Sequence, residues 1–254
     1  MSATTFVLTP AESKRLIAKA VVQLDPVRRA LSDGIIVVST GSTNTFVLEE
    51  LLGESIPKHH YLSGIVLPEK NQPDIPGDRR NDLILVRGNP DDSLDRFSVL
   101  EHMEPGDVFI KGANALNYDT GVAGILIGGH GSGGTIGATL GHVVGRRLNF
   151  IIPVGLEKCV AEDIHLMADR LNTPDEYEPD PPRMMPVTGR IVTEIEALRL
   201  LAGVEVYHMA SGGIGGAEGA VWLLAEGSPE DVRRARSVVE AVQGEPPFLA
   251  GLRR

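Results

Sequence analysis

"VVSTGSTNTFVLEELLG", Val37 to Gly53, sets an apolar run before a turn dense in Gly, Ser and Thr, and an amphipathic stretch after it. Ile35 to Val38 read as a short strand buried on both faces, the kind found in parallel sheets. Phe46, Val47, Leu51 and Leu52 fall at helical spacing across 43–52, with Gly53 as a stop signal. The first turn of a helix exposes free N–H groups and about half a positive charge. Many helices neutralise it with Asp or Glu; here Thr43, Asn44 and Thr45 occupy that turn, and the first carboxylate is Glu49. Gly41 lets the backbone approach a ligand, and Ser42 and Thr43 add hydroxyl donors. Thr40, Gly41, Ser42, Thr43 and Asn44 therefore read as a phosphate cradle. An ordinary N-cap is the alternative reading of the same hydroxyls. No Gly-Lys-Ser/Thr occurs in the chain, so this is not a Walker loop.

Outward from this stretch, 10–31 reads as a helix opened by Pro10, and 83–86, 107–110, 122–127 and 149–154 read as apolar strands. The polar segment 68–82, with three prolines, reads as a loop. Short apolar strands alternating with helices predict an α/β domain with a mainly parallel, Rossmann-like sheet over residues 1–170. An acidic, proline-rich linker is expected at 171–186. Beyond it, 187–254 reads as βαββα(β), a small ferredoxin-like α+β lobe.

Composition narrows the function. With 254 residues, 42% of them hydrophobic, the chain is long enough for one large core. A net charge of −10 repels nucleic acid and anionic membranes, so neither is an expected partner. The lone cysteine, Cys159, permits no disulfide within the chain and reads as a buried small residue. MSATTFVLTP has no leader pattern and no apolar run reaches spanning length, so a cytoplasmic location is expected. The seven histidines lack metal-ligand spacing and His59-His60 are adjacent, so no metal is expected.

Two further segments carry chemistry. Lys111 directly follows the strand 107–110 and should project from its carboxyl end, the edge at which open α/β sheets bind ligands. Gly112 and Asn114 follow in a turn that either needs positive φ or faces a ligand. The segment 128–137 holds a formal G-x-G-x-x-G at Gly129, Gly131 and Gly134. With Glu157 after the next strand, it admits a dinucleotide site. A second anion-binding turn from His130, Gly131, Ser132, Gly133 and Thr135 is the preferred reading, with Arg146 and Arg147 as a surface pair. Gly137, Gly141 and Gly145, four apart, imply close packing of a helix on the sheet or on another subunit; a homo-oligomer is expected.

"AESKRLIAKAVVQLDPVRRALSDGIIVVSTGSTNTFVLEELLG" resembles the opening of the ribose-5-phosphate isomerases of the A type: a Lys/Ala-rich helix, a glycine–threonine–serine strand-loop, and a helix ending in Leu. "GDVFIKGANALNYD" resembles the Lys-Gly motif of that family. The wider superfamily holds sugar-phosphate isomerases and deaminases, CoA transferases, DeoR-type sugar-phosphate sensors and initiation-factor-like isomerases. The resemblance spans roughly residues 12–160. It implies aldose–ketose isomerase chemistry on a small phosphorylated ligand, without a cofactor. Lys111 matches the lysine that stabilises the enediolate, Asp119 matches the base (as Asp for Glu, one residue displaced), and Ser42 and Thr43 match the phosphate loop. "SVLEHMEPGDVFIKG" lacks the family's acidic motif ahead of the lysine, which keeps a non-catalytic sensor or assembly subunit as the alternative. A dinucleotide-dependent or CoA-linked enzyme comes third.

Overall fold

The computed structural model describes residues 1–128, 131–174 and 176–250. In chain order the elements begin with β1 (Ser2–Leu8), α1 (Pro10–Val21), α2 (Asp25–Asp33), β2 (Ile35–Val38), α3 (Ser42–Leu52), β3 (Leu83–Val86) and β4 (Asn89–Pro90). Next come α4 (Arg96–Leu100), β5 (Val108–Ile110), β6 (Ala115–Asn117), β7 (Val122–Ile127), α5 (Gly134–Gly145), β8 (Asn149–Pro153) and α6 (Ile164–Asn172). The last are β9 (Arg183–Val187), β10 (Arg190–Val192), α7 (Glu194–Ala202), β11 (Glu205–Ser211), β12 (Val221–Gly227) and α8 (Pro229–Glu240). None of the described helices is long and apolar enough to cross a membrane.

The fold is mixed α/β around a six-stranded mixed sheet of order β10-β8-β5-β2-β3-β4. The four strands β10, β8, β5 and β2 run parallel, while β3 and β4 are antiparallel additions at one edge. The fully apolar strands follow from burial on both faces. Ile36, Val38, Val108, Ile110 and Ile151 pack into one core, and Val37, Phe109, Phe150 and Ile152 into the other. The first core is closed by α1, α7, α8 and the small antiparallel sheet β1-β12-β11. The second is closed by α5 and the antiparallel sheet β6-β7-β9.

Several expectations change. The helix expected over 10–31 is two helices, because the Pro26 ring would collide with the carbonyl four residues earlier and restarts the helix as α2. Residues 122–127 form a strand as expected, but in the second, antiparallel sheet. An apolar strand covered on both faces looks alike in either sheet, so local pattern does not separate them. The segment 187–254 does not close a sheet of its own. β10 joins the main sheet beside β8, and β11 and β12 are completed by the N-terminal β1. Within the stretch 171–186, α6 ends at Asn172 and β9 starts at Arg183 and pairs with β7. The optional last strand of βαββα(β), at 248–250, does not form; those residues are in turns.

Candidate functional site

At the carboxyl ends of β2, β5 and β8 the chain opens a cavity of about 530 Å³. Its walls are 40–44 after β2, Lys111 to Asn114 after β5, Gly133 to Ile136 at the start of α5, Ser63 to Val66, and Lys158. The expected phosphate loop, Lys111, Gly112, Asn114, Gly133 and Thr135 thus meet in one place.

The loop is built from its backbone outward. Gly41 has φ 155° and ψ 155°, a conformation closed to residues with a Cβ. Its N–H donates to the Tyr61 carbonyl at 2.8 Å, and the Thr40 N–H donates to Asp82 Oδ1 at 2.8 Å. The Thr40 hydroxyl donates to the Ser63 hydroxyl at 2.8 Å. With the loop pinned, α3 begins with no side-chain cap and no acid in its first turn. The N–H groups of Ser42, Thr43 and Asn44 have no partner among the described residues. The start of α5, at Gly133, likewise lacks both a cap and a first-turn acid. Among the described α-helices these two alone lack both, and both open into the same cavity. Two positive helix ends face one space.

Two lysine side chains stand beside those helix ends. Burial pushes the Lys111 pKa down, against the pull of Asp82, with Arg96 and Lys158 pushing the same way as burial. Lys158 donates to the Ala113 carbonyl at 2.8 Å; burial and the charge of Lys14 lower its pKa, while Glu157 opposes them. Asn44 is buried; its amide nitrogen donates to the Ser39 carbonyl at 2.7 Å, which leaves its Oδ1 without a donor. A ligand here meets free N–H donors, two lysine amino groups and one orphaned acceptor.

A supporting network lies behind the wall and was missed in the sequence. Asp82, buried at the start of β3, forms an ion pair with Arg96 Nε at 3.0 Å. Burial raises the Asp82 pKa, and Arg96, the Thr40 N–H and Lys111 pull it back. Arg96 also donates to the Thr135 hydroxyl, so Asp82 and Arg96 join the β2 loop to the start of α5. Their signal was faint: Asp82 ends a polar loop, and Arg96 follows Asp95 in a capping box that reads as simple helix initiation.

Of the other candidates, Asn114 has a structural part in the cavity wall and the rest fall elsewhere. Asp119 sits in the turn between β6 and β7 and lines a second cavity of about 660 Å³, together with Cys159, Arg199 and Tyr207. Burial, with Glu194, Asp119 and Glu196, pushes the Cys159 thiol up to about 11, which holds it as the unreactive thiol. Asn114 has no positive φ; its Oδ1 accepts the Leu126 N–H at 3.0 Å and anchors the β6–β7 pair. Gly131 lines an adjoining groove beside Met185, and Ser132 is exposed. Gly129 and His130 lie outside the described residues, so the formal G-x-G-x-x-G is described only in part. Glu157 Oε1 pairs with Lys14 at 3.0 Å and lines neither cavity. Arg146 and Arg147 follow the far end of α5, about 18 Å of helix from the cavity at 1.5 Å per residue.

The glycines of α5 divide in the same way. A Cβ on Gly137 would stand 2.3 Å from the Ser132 carbonyl oxygen, whereas Gly141 and Gly145 meet nothing within 4 Å. Gly137→Ala is expected to displace the segment entering α5 and to lower both melting temperature and ligand affinity. Gly141→Ala, exposed and unobstructed, is expected to add about 0.5–1 kcal/mol of stability. Parallel thermal melts check this, and equal effects from the two substitutions count against it. No protein-family model matches the chain, and neither does any curated protein or solved structure.

Proposed function

We propose that the protein binds a small phosphorylated metabolite, a sugar phosphate, in the first cavity and uses Lys111 for isomerase-type proton transfer on it. One observation carries the binding half: two uncapped, acid-free helix starts open onto one space that also holds Lys111 and Lys158. Anions gather at such places. The orphaned Asn44 Oδ1 asks for a donor, which a sugar hydroxyl supplies and a fully ionised phosphate does not. The four parallel strands with a cavity at their carboxyl ends support a Rossmann-like reading and kinship with the ribose-5-phosphate isomerase superfamily.

For catalysis, a proton leaves the carbon beside a carbonyl and charge develops on the oxygen. As an ammonium, Lys111 stabilises that oxygen; as the free amine, which burial favours, it accepts the proton while the free N–H groups at the start of α3 face the developing charge. Asp119, the base implied by the resemblance, lines the other cavity. That placement favours the second reading, a sensor that binds the same ligand without turning it over.

Ribose 5-phosphate, ribose and inorganic phosphate, compared by calorimetry, test the binding. Ribose 5-phosphate is expected to bind most tightly, and equal weakness of all three removes the proposal. Exchange of the substrate C2 proton in D₂O then separates enzyme from sensor. Lys111→Ala is expected to abolish exchange while a measurable affinity remains. Exchange that continues unchanged in that variant takes Lys111 out of the chemistry.

A further inference from the structure

We propose that His59, His60 and Asp78 form a binding site for a divalent transition-metal ion of the zinc class, which clips together the two ends of the loop 62–82. The short 3-10 turn Lys58–Tyr61 sets the two imidazoles edge to face, with ring centroids 4.5 Å apart. Asp78 lies 18 residues beyond His60 in sequence and reaches back to both rings. Its Oδ2 is 2.7 Å from His60 Nε2 and its Oδ1 is 3.5 Å from His59 Nε2. One donor atom from each of the three lies within 4.8 Å of the others. Zinc bonds of about 2.0–2.2 Å place tetrahedral ligand atoms roughly 3.3 Å from one another, so small side-chain adjustments suffice. Two imidazole nitrogens and one carboxylate suit zinc and its neighbours, and they disfavour calcium and magnesium, which take oxygen.

The surroundings fit an ion that keeps an exchangeable position. The histidine side chains are mostly covered, at 19% and 16% exposure, whereas Asp78 is 62% exposed and leaves a side open to water. The backbone is held independently of any ion. The Arg80 N–H donates to the His60 carbonyl at 2.8 Å, the Arg79 N–H to the Gly77 carbonyl at 2.9 Å, and the Arg79 guanidinium to the His59 carbonyl. Arg79 and Arg80 oppose a cation, so the affinity is expected to be lower than that of a site with a second carboxylate. Spacing along the chain hid the site, because the third ligand comes from the far end of the loop.

The clip has a consequence for the first cavity. Ser63 to Val66 follow His60 closely and line that cavity, and Ser63 bonds Thr40 of the β2 loop. An ion joining 59–60 to 78 removes conformational freedom from the intervening segment and so steadies the cavity wall. This holds whatever ligand the cavity takes.

The experiment uses the whole 254-residue chain stripped with a chelator, titrated with Zn²⁺ by calorimetry and with Co²⁺ as a spectroscopic probe. One Co²⁺ per chain, with visible ligand-field bands and slower tryptic cleavage at Lys70, is the expected result. His60→Ala and Asp78→Ala are each expected to weaken binding by at least about tenfold, the loss that even an outer-shell partner of a metal causes. His208→Ala, at an exposed histidine on β11, should change nothing. Undiminished binding in both loop variants, or no binding by the unsubstituted protein, overturns the site. Binding with unaltered cleavage overturns the clip.

Discussion

Affinity for ribose 5-phosphate is expected to fall about a hundredfold, ~2.8 kcal/mol, when Ser42 becomes aspartate. The melting temperature is expected to hold or rise. Ser42 is the first residue of α3, lines the first cavity, and is partly exposed. A carboxylate there neutralises the helix start from within the chain and repels a phosphate. The same charge stabilises the helix by about 0.3–1 kcal/mol. Opposite signs for binding and stability distinguish this mechanism from simple damage, which lowers both. Calorimetric titration and a thermal melt on the same preparation give the two signs, and an undiminished affinity would falsify the anion cradle.

The largest loss of stability is expected from Arg15→Ala, about 3–5 kcal/mol, or on the order of 10 °C in melting temperature. Arg15 of α1 donates to Glu49, to Glu50 at 3.0 Å and to Glu245 at 2.9 Å. Lys58 adds a contact to Glu49 at 3.2 Å, and both cations lie near the Phe46 ring, at 4.8 Å and 5.0 Å from its centroid. Removing the arginine leaves Glu49, whose side chain is only 3% exposed, with Lys58 and the Ile56 N–H to offset its burial, and takes the strongest partner from Glu245. Truncating one member of a buried pair costs far more than the pair contributes, because the other charge is left without compensation. Arg234→Ala, which removes an exposed i,i+3 and i,i+4 set on α8 and one bond to the Ala202 carbonyl, is expected to cost about 1 kcal/mol or less and serves as the comparison.

Acidity tests the same cluster. Burial opposes ionisation of Glu49, but the Ile56 N–H, Arg15 and Lys58 together outweigh it and hold the pKa below 4.5. A carboxyl depressed in the folded state stabilises fully above its unfolded pKa and loses that contribution as pH falls through the folded value. The unsubstituted protein should therefore lose stability below about pH 4.5, and Glu49→Gln should flatten that part of the profile.

The grouping of 40–44 with Lys111 around the first cavity was legible because its parts are local. Seven consecutive residues, 39–45, hold the strand end, the glycine and the helix start, and Lys111 is fixed by the strand it follows. Asp82, Arg96 and Lys158 reach the same region from other parts of the chain, and nothing in their neighbouring residues marks them. Asp119 illustrates the reverse fault: counting positions along a family motif put it beside Lys111, whereas the β6–β7 turn carries it to another cavity. The strand β1 went unseen although Thr4, Phe6 and Leu8 alternate inward with Ala3, Thr5 and Val7 outward, a plain period of two.

That first strand has a consequence for how the molecule comes into being. Its seven residues pair from Ser2 against Gly227 through to Leu8 against Val221, so its partner leaves the ribosome only when most of the chain has been made. Until then Phe6 and Leu8 stay without that cover, exposed to chaperones and to other nascent chains. The core that holds β1 therefore cannot be completed in chain order. Assembly waits for the late strands, and a long-range step of this kind is slow.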